Sequence, residues 1–338
     1  MPISPFEQAS YLTQVRRLRI LAVDVLKHYP IKIKAINFIK YTANTIFRVI
    51  DTQNKSYILR IHPAVYHSEE AILEEINWLR HIRKTTDLLV PIPICTNDNQ
   101  YVIKLKHPTI STARYCDMFE WLPGKRRWKS VDKKYAYNLG SIVAQLQKNG
   151  QEMTIKHRHY WSADGLVGTD NAKFYNVENL SDVTAKEQEI ITEARRCAYR
   201  TLKQYEDSHK DKTGLIHGDM QPNNILVHKN QYAIIDFDDC GVGLYGDDLA
   251  TALFAFEYIA EGEKTKNFFE LKDTLFRGYA EHMPLTQEDI NLSPYFLLAR
   301  KLITIGWLEL RRDNPSLRSY FRVAVVRAIH FFEQLEKN

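Results

Sequence analysis

The sequence predicts an α+β chain in two lobes, the first built on five antiparallel strands and one helix, the second mainly helical. Three observations lead there. The chain has 338 residues, more than one typical domain needs and enough for two apolar cores. Segments rich in β-branched and aromatic residues crowd the first 120 positions, and after "WLPG" (121–124) the apolar pattern turns helical. Apolar residues at 44% and charged residues at 26% match ordinary globular usage, so neither a disordered nor a fibrous chain is expected.

Residues 6–28 carry Phe6, Leu12, Val15, Ile20, Val23 and Leu26 at mostly helical intervals, and Tyr29-Pro30 stops the run. An opening helix is expected. "IKAINFI", "TIFRVID" and "SYILRIH" follow, with "TQNK" (52–55) supplying turn chemistry between the last two, and read as an antiparallel meander. A helix is predicted over about 68–84. Beyond it Pro91 and Pro93 break the chain before two more strands, "QYVIKL" and "RYCDMFEW". Proline and glycine in "WLPG" then mark the boundary. Helices are predicted at about 132–149, 183–208, 247–261, 264–281, 294–311 and 316–336, interrupted by one hairpin at 225–235 in which "ILV" and "YAII" flank the polar "HKNQ".

The +5 balance is spread along the chain, too dilute to point to nucleic acid. "GKRRWK" (124–129) is the densest basic patch and reads as a solvated loop, with an anionic ligand as the sharper alternative. Cys95, Cys116, Cys197 and Cys240 form no CxxC pair, which suggests neither zinc nor a disulfide framework but reduced, buried thiols. No apolar run reaches the roughly 18 residues that would span a bilayer, and the amino terminus lacks a signal pattern. A cytoplasmic protein with no membrane and no nucleic-acid partner is expected.

The hairpin carries the chemistry. "HGDMQPNN" (217–224) precedes it and "IIDFDD" (234–239) closes it. Pairing is expected to oppose Asn224 and Asp236, and directly opposed residues of an antiparallel pair share a face with Cβ atoms about 5 Å apart. An amide oxygen and a carboxylate at one end of a hairpin suit Mg2+, which takes a few oxygen ligands and shares its other positions with water and phosphate. Asp219 lies five residues before Asn224, with Pro222 making the segment an irregular loop. In phosphoryl transfer such an aspartate orients or accepts the proton of the attacking hydroxyl. The bland alternative is that Asp219 and Asp236 only bind loop amides, as turn aspartates do; that accounts for either one more readily than for all three residues together. His217 reads as a brace, and Asp238 and Asp239 as loop hydrogen-bonding groups that could also assist a metal.

These stretches resemble the HGDxxxxN and IDF/IDW motifs of the aminoglycoside phosphotransferase and choline kinase superfamily, in style nearest the homoserine kinase type II-like phosphotransferases. The resemblance implies a protein-kinase-like bilobal fold with a nucleotide-binding lobe at 1–118, a hinge at 119–124 and a helical lobe at 125–338 holding the acceptor site. It implies Asp219 as catalytic base, Asn224 and Asp236 as Mg2+ ligands, and ATP or GTP as co-substrate. "YILRIH" is similar to the strand that offers a phosphate-contacting cation, normally lysine and here Arg60, with Glu75 on the inward stripe of the following helix as its partner. "RYCDMFEWLPG" resembles the hinge, whose backbone at Phe119, Glu120, Trp121 and Leu122 would meet adenine. "YGDDLATALF" is similar to the DLA segment, in which Asp248 would tie the catalytic loop to the next helix; a helix N-cap at Asp247 is the plainer reading. "HRHYWSADGLVG" and "GWLELRRDNP" also look like stretches of these relatives. The phosphate-covering loop departs from the pattern: "KYTANT" (40–45) has no glycine, so Thr42, Asn44 and Thr45 would supply side-chain hydrogen bonds instead, and Asn44 tolerates a left-handed backbone.

The expected activity is therefore Mg-dependent transfer of a γ-phosphoryl group to the hydroxyl of a small molecule such as an amino alcohol, hydroxy amino acid or aminoglycoside. Two alternatives stay open. A stress-response-type Ser/Thr protein kinase is disfavoured because the dozen or so residues between Asp236 and Asp248 hold no serine or threonine. A nucleotide-binding pseudokinase is disfavoured because all three oxygen-bearing site residues are present. Acceptor identity and oligomeric state are not legible.

Overall fold

The computed structural model describes residues 5–64, 66–128, 131–169, 171–174, 177–262 and 267–337. Contacts divide the chain into two compact units, one running through Gly124 and taking in His228–Ile235, the other Lys125–Val227 with the chain from Asp236 onward. Lys129 of the basic patch and residues 264–266 of the helix expected from 264 lie outside the described residues.

In the first unit α1 (Tyr11–Leu26) starts at Ser10, whose hydroxyl caps the Thr13 N–H, and ends a turn before Pro30. Strands β1 (Ile33–Tyr41), β2 (Thr45–Asp51) and β3 (Ser56–Ile61) form the meander; α2 (Glu69–Thr85) follows, capped by Ser68 with Glu69 and Glu70 in its first turn and Arg83 and Lys84 in its last. Strands β4 (Val102–Leu105) and β5 (Arg114–Glu120) complete an antiparallel sheet of order β1-β2-β3-β5-β4. Period-2 alternation sorts its faces. Phe47, Val49, Tyr57, Leu59, Ile61, Cys116 and Met118 pack with Leu21, Ala22, Val25 and Leu26 of α1 in one core. Ile58, Arg60, Asp117 and Phe119 therefore belong to the opposite face.

In the second unit β6 (Lys125–Arg126) is followed by α3 (Lys133–Gly150), β7 (Tyr160–Trp161), α4 (Ala163–Val167), α5 (Ala185–Ser208) and β8 (Thr213–Ile216). Next along the chain come β9 (Ile225–His228) and β10 (Gln231–Ile234), the latter counted with the first unit, and then, again in the second, β11 (Gly241–Leu244), α6 (Gly246–Gly262), α7 (Phe268–Ala280), α8 (Gln287–Glu309) and α9 (Tyr320–Leu335). The turn between β9 and β10 is Lys229-Asn230, both at positive φ, the two-residue geometry that fits strand twist. The second unit also holds a small sheet of order β7-β11-β8. Helices α3 and α7 approach through reciprocal glycines: a Cβ on Gly140 would lie 1.9 Å from the Leu275 carbonyl oxygen, and one on Gly278 2.0 Å from that of Tyr137.

Helix α8 begins at Gln287, two turns before the expected 294. Thr286 and Asp289 form a capping box there, and Pro294 sits inside the helix. Proline cannot donate to the Ile290 carbonyl four residues back, and the Ser293 hydroxyl donates to it instead at 2.7 Å. All four cysteines are free; Cys116 and Cys240 are buried, whereas Cys95 and Cys197 are only half-buried.

Candidate phosphotransfer site

The loop 217–224 is built from short polar links. Gly218 has φ +77, and a Cβ there would meet the Asp239 carbonyl oxygen at 2.3 Å, so glycine is required on both counts. Asp248, fully buried in the first turn of α6, accepts from the His217 N–H at 3.0 Å and the Gly218 N–H at 2.8 Å. Arg300 of α8 donates to the Gly218 carbonyl and, at 2.6 Å, to Thr251 Oγ1. His217 is buried against Phe237 and its Nδ1 accepts the Asp219 N–H at 3.2 Å, a bracing role. The loop is thus pinned from α6 and α8 before Asp219 is reached.

Gln221 Nε2 donates to both Asp219 oxygens at 3.0 Å, and Asn224 Nδ2 donates to Asp219 Oδ2 at 2.7 Å and to its carbonyl at 2.9 Å. Burial lifts the Asp219 carboxyl above the usual carboxylate range, the Arg300 guanidinium opposes that lift, and the carboxylates of Asp239 and Asp236 add to it. The three acidic side chains thus influence one another electrostatically, but among the described residues no group of three or more His, Cys, Asp or Glu side chains is gathered closely enough to hold a metal ion by itself. The Asn224 nitrogen is committed to Asp219, which leaves its amide oxygen as the group with acceptor capacity for another partner. By type, an amide oxygen and the carboxylate of Asp236 are the oxygen donors that a hard divalent cation takes.

The structure corrects how Asn224 and Asp236 are brought there. Cross-strand opposition was the expectation, but both lie just outside the ladder. Asn224 closes a 3-10 turn, Pro222–Asn224, in which proline takes the first position rather than breaking the local helix. Asp236 stands at φ 69, ψ 58, a left-handed residue before the 3-10 turn Phe237–Asp239. That turn is held by Arg158, which is buried and donates to the carbonyls of Phe237, Asp238 and Cys240, and by Trp161, whose Nε1 donates to the Asp239 carbonyl at 2.7 Å. Asp239 pairs with Lys173 at 2.5 Å. Asp247 is not an N-cap; it is fully buried within α6, 3.5 Å from Arg300 Nε, and burial pushes its carboxyl up to about 7.

In the first unit, Arg60 Nη1 donates to Glu75 Oε1 at 2.8 Å, bringing together the two residues the sequence pairs. Asp117, which the sequence reading missed, takes Arg60 Nε at 3.0 Å and Nη2 at 2.6 Å, directly opposite Arg60 in the β3–β5 register. Burial alone would raise the Asp117 carboxyl, but Arg60 and His62 hold it below the usual range.

Three expectations change here. Thr45 opens β2 on the buried face shared with Phe47, opposite the face of Arg60, so its hydroxyl does not cover phosphate beside that cation. Asn44 is buried without a left-handed backbone, and its Oδ1 has no hydrogen-bond partner; the Thr42 N–H meets the Asn44 carbonyl at 3.4 Å. In the hinge, the Glu120 and Trp121 N–H groups are spent on the carbonyls of Ile92 at 2.9 Å and Ser56 at 3.2 Å. Phe119 lies in the β5 ladder opposite Ile58, and Leu122 follows the strand.

Arg158, Lys173, Arg300 and Asp117 escaped the sequence reading because each reaches its partner from far along the chain. Only Asp117 left a signal, its register opposite Arg60.

Residues 39–285 match the model of the phosphotransferase enzyme family. An uncharacterized protein of Deinococcus radiodurans is 32% identical over 320 residues, covering 94% of this chain and 89% of that one. Among solved structures, a microcompartment-associated aminopropanol kinase superposes with a TM-score of 0.76 at 25% identity, over 93% of this chain and 94% of its own. Amicoumacin kinase in complex with AMP-PNP, Ca2+ and Ami gives 0.76 at 18% identity, over 94% and 96%. The fold is α+β and protein-kinase-like, and the chain belongs to the phosphotransferase enzyme family. It is an enzyme of the small-molecule kinase kind. No helix among the described residues is long and apolar enough to cross a membrane.

Proposed function

We propose that the protein transfers the γ-phosphoryl group of ATP to the hydroxyl of a small molecule, an amino alcohol being the first acceptor to try. The observation that carries this reading is the pinned loop in which Gln221 and Asn224 hold the Asp219 carboxylate, its pKa raised, within the field of Asp236. Asp219 orients the acceptor hydroxyl and takes its proton as the O–P bond forms. Asn224 Oδ1 and the Asp236 carboxylate are the groups that would hold Mg2+, which when bound neutralises charge on the phosphate oxygens. In the first unit Arg60, held by Glu75, meets phosphate, and the adenine edge is left to the Leu122 amide because its two predecessors are already bonded. The alignment of these groups, rather than covalent chemistry by the protein, supplies the rate. An amine on the acceptor is supported by the aminopropanol kinase relative.

Screening amino alcohols, hydroxy amino acids, sugars and aminoglycosides for stimulated ADP release tests the acceptor class. With the best acceptor, Asp219→Asn is expected to lose turnover by at least ~10²-fold while AMP-PNP affinity is retained. Undiminished turnover removes Asp219 from the chemistry, and release of ADP onto protein rather than a small molecule would favour a protein kinase.

A further inference from the structure

The Arg60 cluster contains one more carboxylate than a single cation needs. Arg60, Glu75 and Asp117 are all buried, at 5%, 1% and 0% exposure, and Asp117 alone takes two of the guanidinium's N–H groups. His62, the residue just past the end of β3, stands 3.2 Å from Asp117 Oδ2 through its Nε2. Asp117 is an ionised acceptor, so the His62 Nε2 carries the hydrogen of that bond.

A lysine at position 60 would present a compact ammonium with no fixed plane, and one glutamate would suffice to place it. A guanidinium is a rigid fork whose edges point in different directions. Held only at Nη1 by Glu75, it would swing about its own long axis. Asp117 fixes the Nε–Nη2 edge, and because it is the in-register neighbour on β5, the sheet itself sets that geometry. The Phe119 ring, 5.1 Å from the guanidinium carbon, limits tilt on the same face.

We propose that Asp117 is a positioning residue for nucleotide phosphate and that Arg60 and Asp117 act as one unit in place of a lone lysine. The inference rests on the reading of Arg60 as a phosphate contact. It makes a counter-intuitive demand on mutants. Arg60→Lys, the conservative change, shortens the cation and leaves the buried Asp117 carboxylate with an unfilled edge, so it should be poor; removing that carboxylate as well should repair it.

The test is titration of the full chain with AMP-PNP and Mg2+ by calorimetry, with thermal melts of each variant alongside. Arg60→Lys and Asp117→Asn are each expected to weaken AMP-PNP binding by at least ~10-fold, and Arg60→Lys/Asp117→Asn to recover to within ~3-fold of the parent. Arg60→Lys/Asp117→Ser serves as a second repair should the asparagine variant fail to fold. A double variant no better than Arg60→Lys, with a melting temperature near the parent's, overturns the proposal. Arg60→Met separates the two readings. If it leaves AMP-PNP affinity intact while lowering only the melting temperature, the phosphate contact itself is wrong; if it abolishes binding and the double variants still fail, only the role of Asp117 is lost.

Discussion

At the scale of single residues, the second unit gathers carboxylates that ordinary folding would avoid. Asp247 is the clearest case outside the chemistry: both its oxygens are buried without a hydrogen bond, and its carboxyl is pushed from the usual 3.8 up to about 7. A carboxyl raised in the folded state keeps a proton that the unfolded chain has released, so its ionisation erodes stability as pH climbs from about 4 to about 7. Asp247→Asn, which never ionises, is therefore expected to be more stable than the parent, by an advantage that widens on the order of 2 kcal/mol between pH 5 and pH 8 in urea unfolding. An advantage that shrinks over that range would mean the carboxylate is better partnered than its surroundings indicate. Legibility divides along the same line. That Asp219, Asn224 and Asp236 would come near one another was readable because eighteen consecutive positions hold all three, whereas Arg300, which bonds the Gly218 carbonyl from 82 positions away, could be found only in three dimensions.

At the scale of elements, periodicity and turn chemistry identified the long pieces. The meander, α2 and α5 announce themselves through alternation, helical stripes and capping residues such as Thr184 with Glu187. Strands β6 and β7 have two residues each, too short for any period to register, and β11 is half glycine. The start of α8 was misplaced because Pro294 looks like a beginning, while the hydroxyl of Ser293 rescues the bond that proline forfeits. The glycines of α3 and α7 carry a stability prediction. Gly140→Ala gains helix propensity, yet its methyl must displace the Leu275 carbonyl, so it should lower the unfolding free energy by about 2 kcal/mol with an unchanged urea slope. A stabilised Gly140→Ala protein would show that the two helices separate freely.

At the scale of the whole molecule, each unit holds one braced polar cluster: an arginine clamped by Glu75 and Asp117 in the first, and an acidic loop pinned by Asp248 and Asn224 in the second. A ligand that engages only the folded state must stabilise it by mass action. AMP-PNP with Mg2+ at about 100 times its Kd is expected to add roughly 2.7 kcal/mol to stability, read as an upward shift in melting temperature, and chelation by EDTA should remove most of that gain. Equal shifts with and without the metal would detach nucleotide binding from the acidic loop. The most direct measurement of the central claim is a crystal structure of the full chain with AMP-PNP and Mg2+. The account predicts the ion about 2.1 Å from Asn224 Oδ1 and from an Asp236 oxygen, with Asp219 facing the γ-phosphate; an ion bound without either side chain would contradict it.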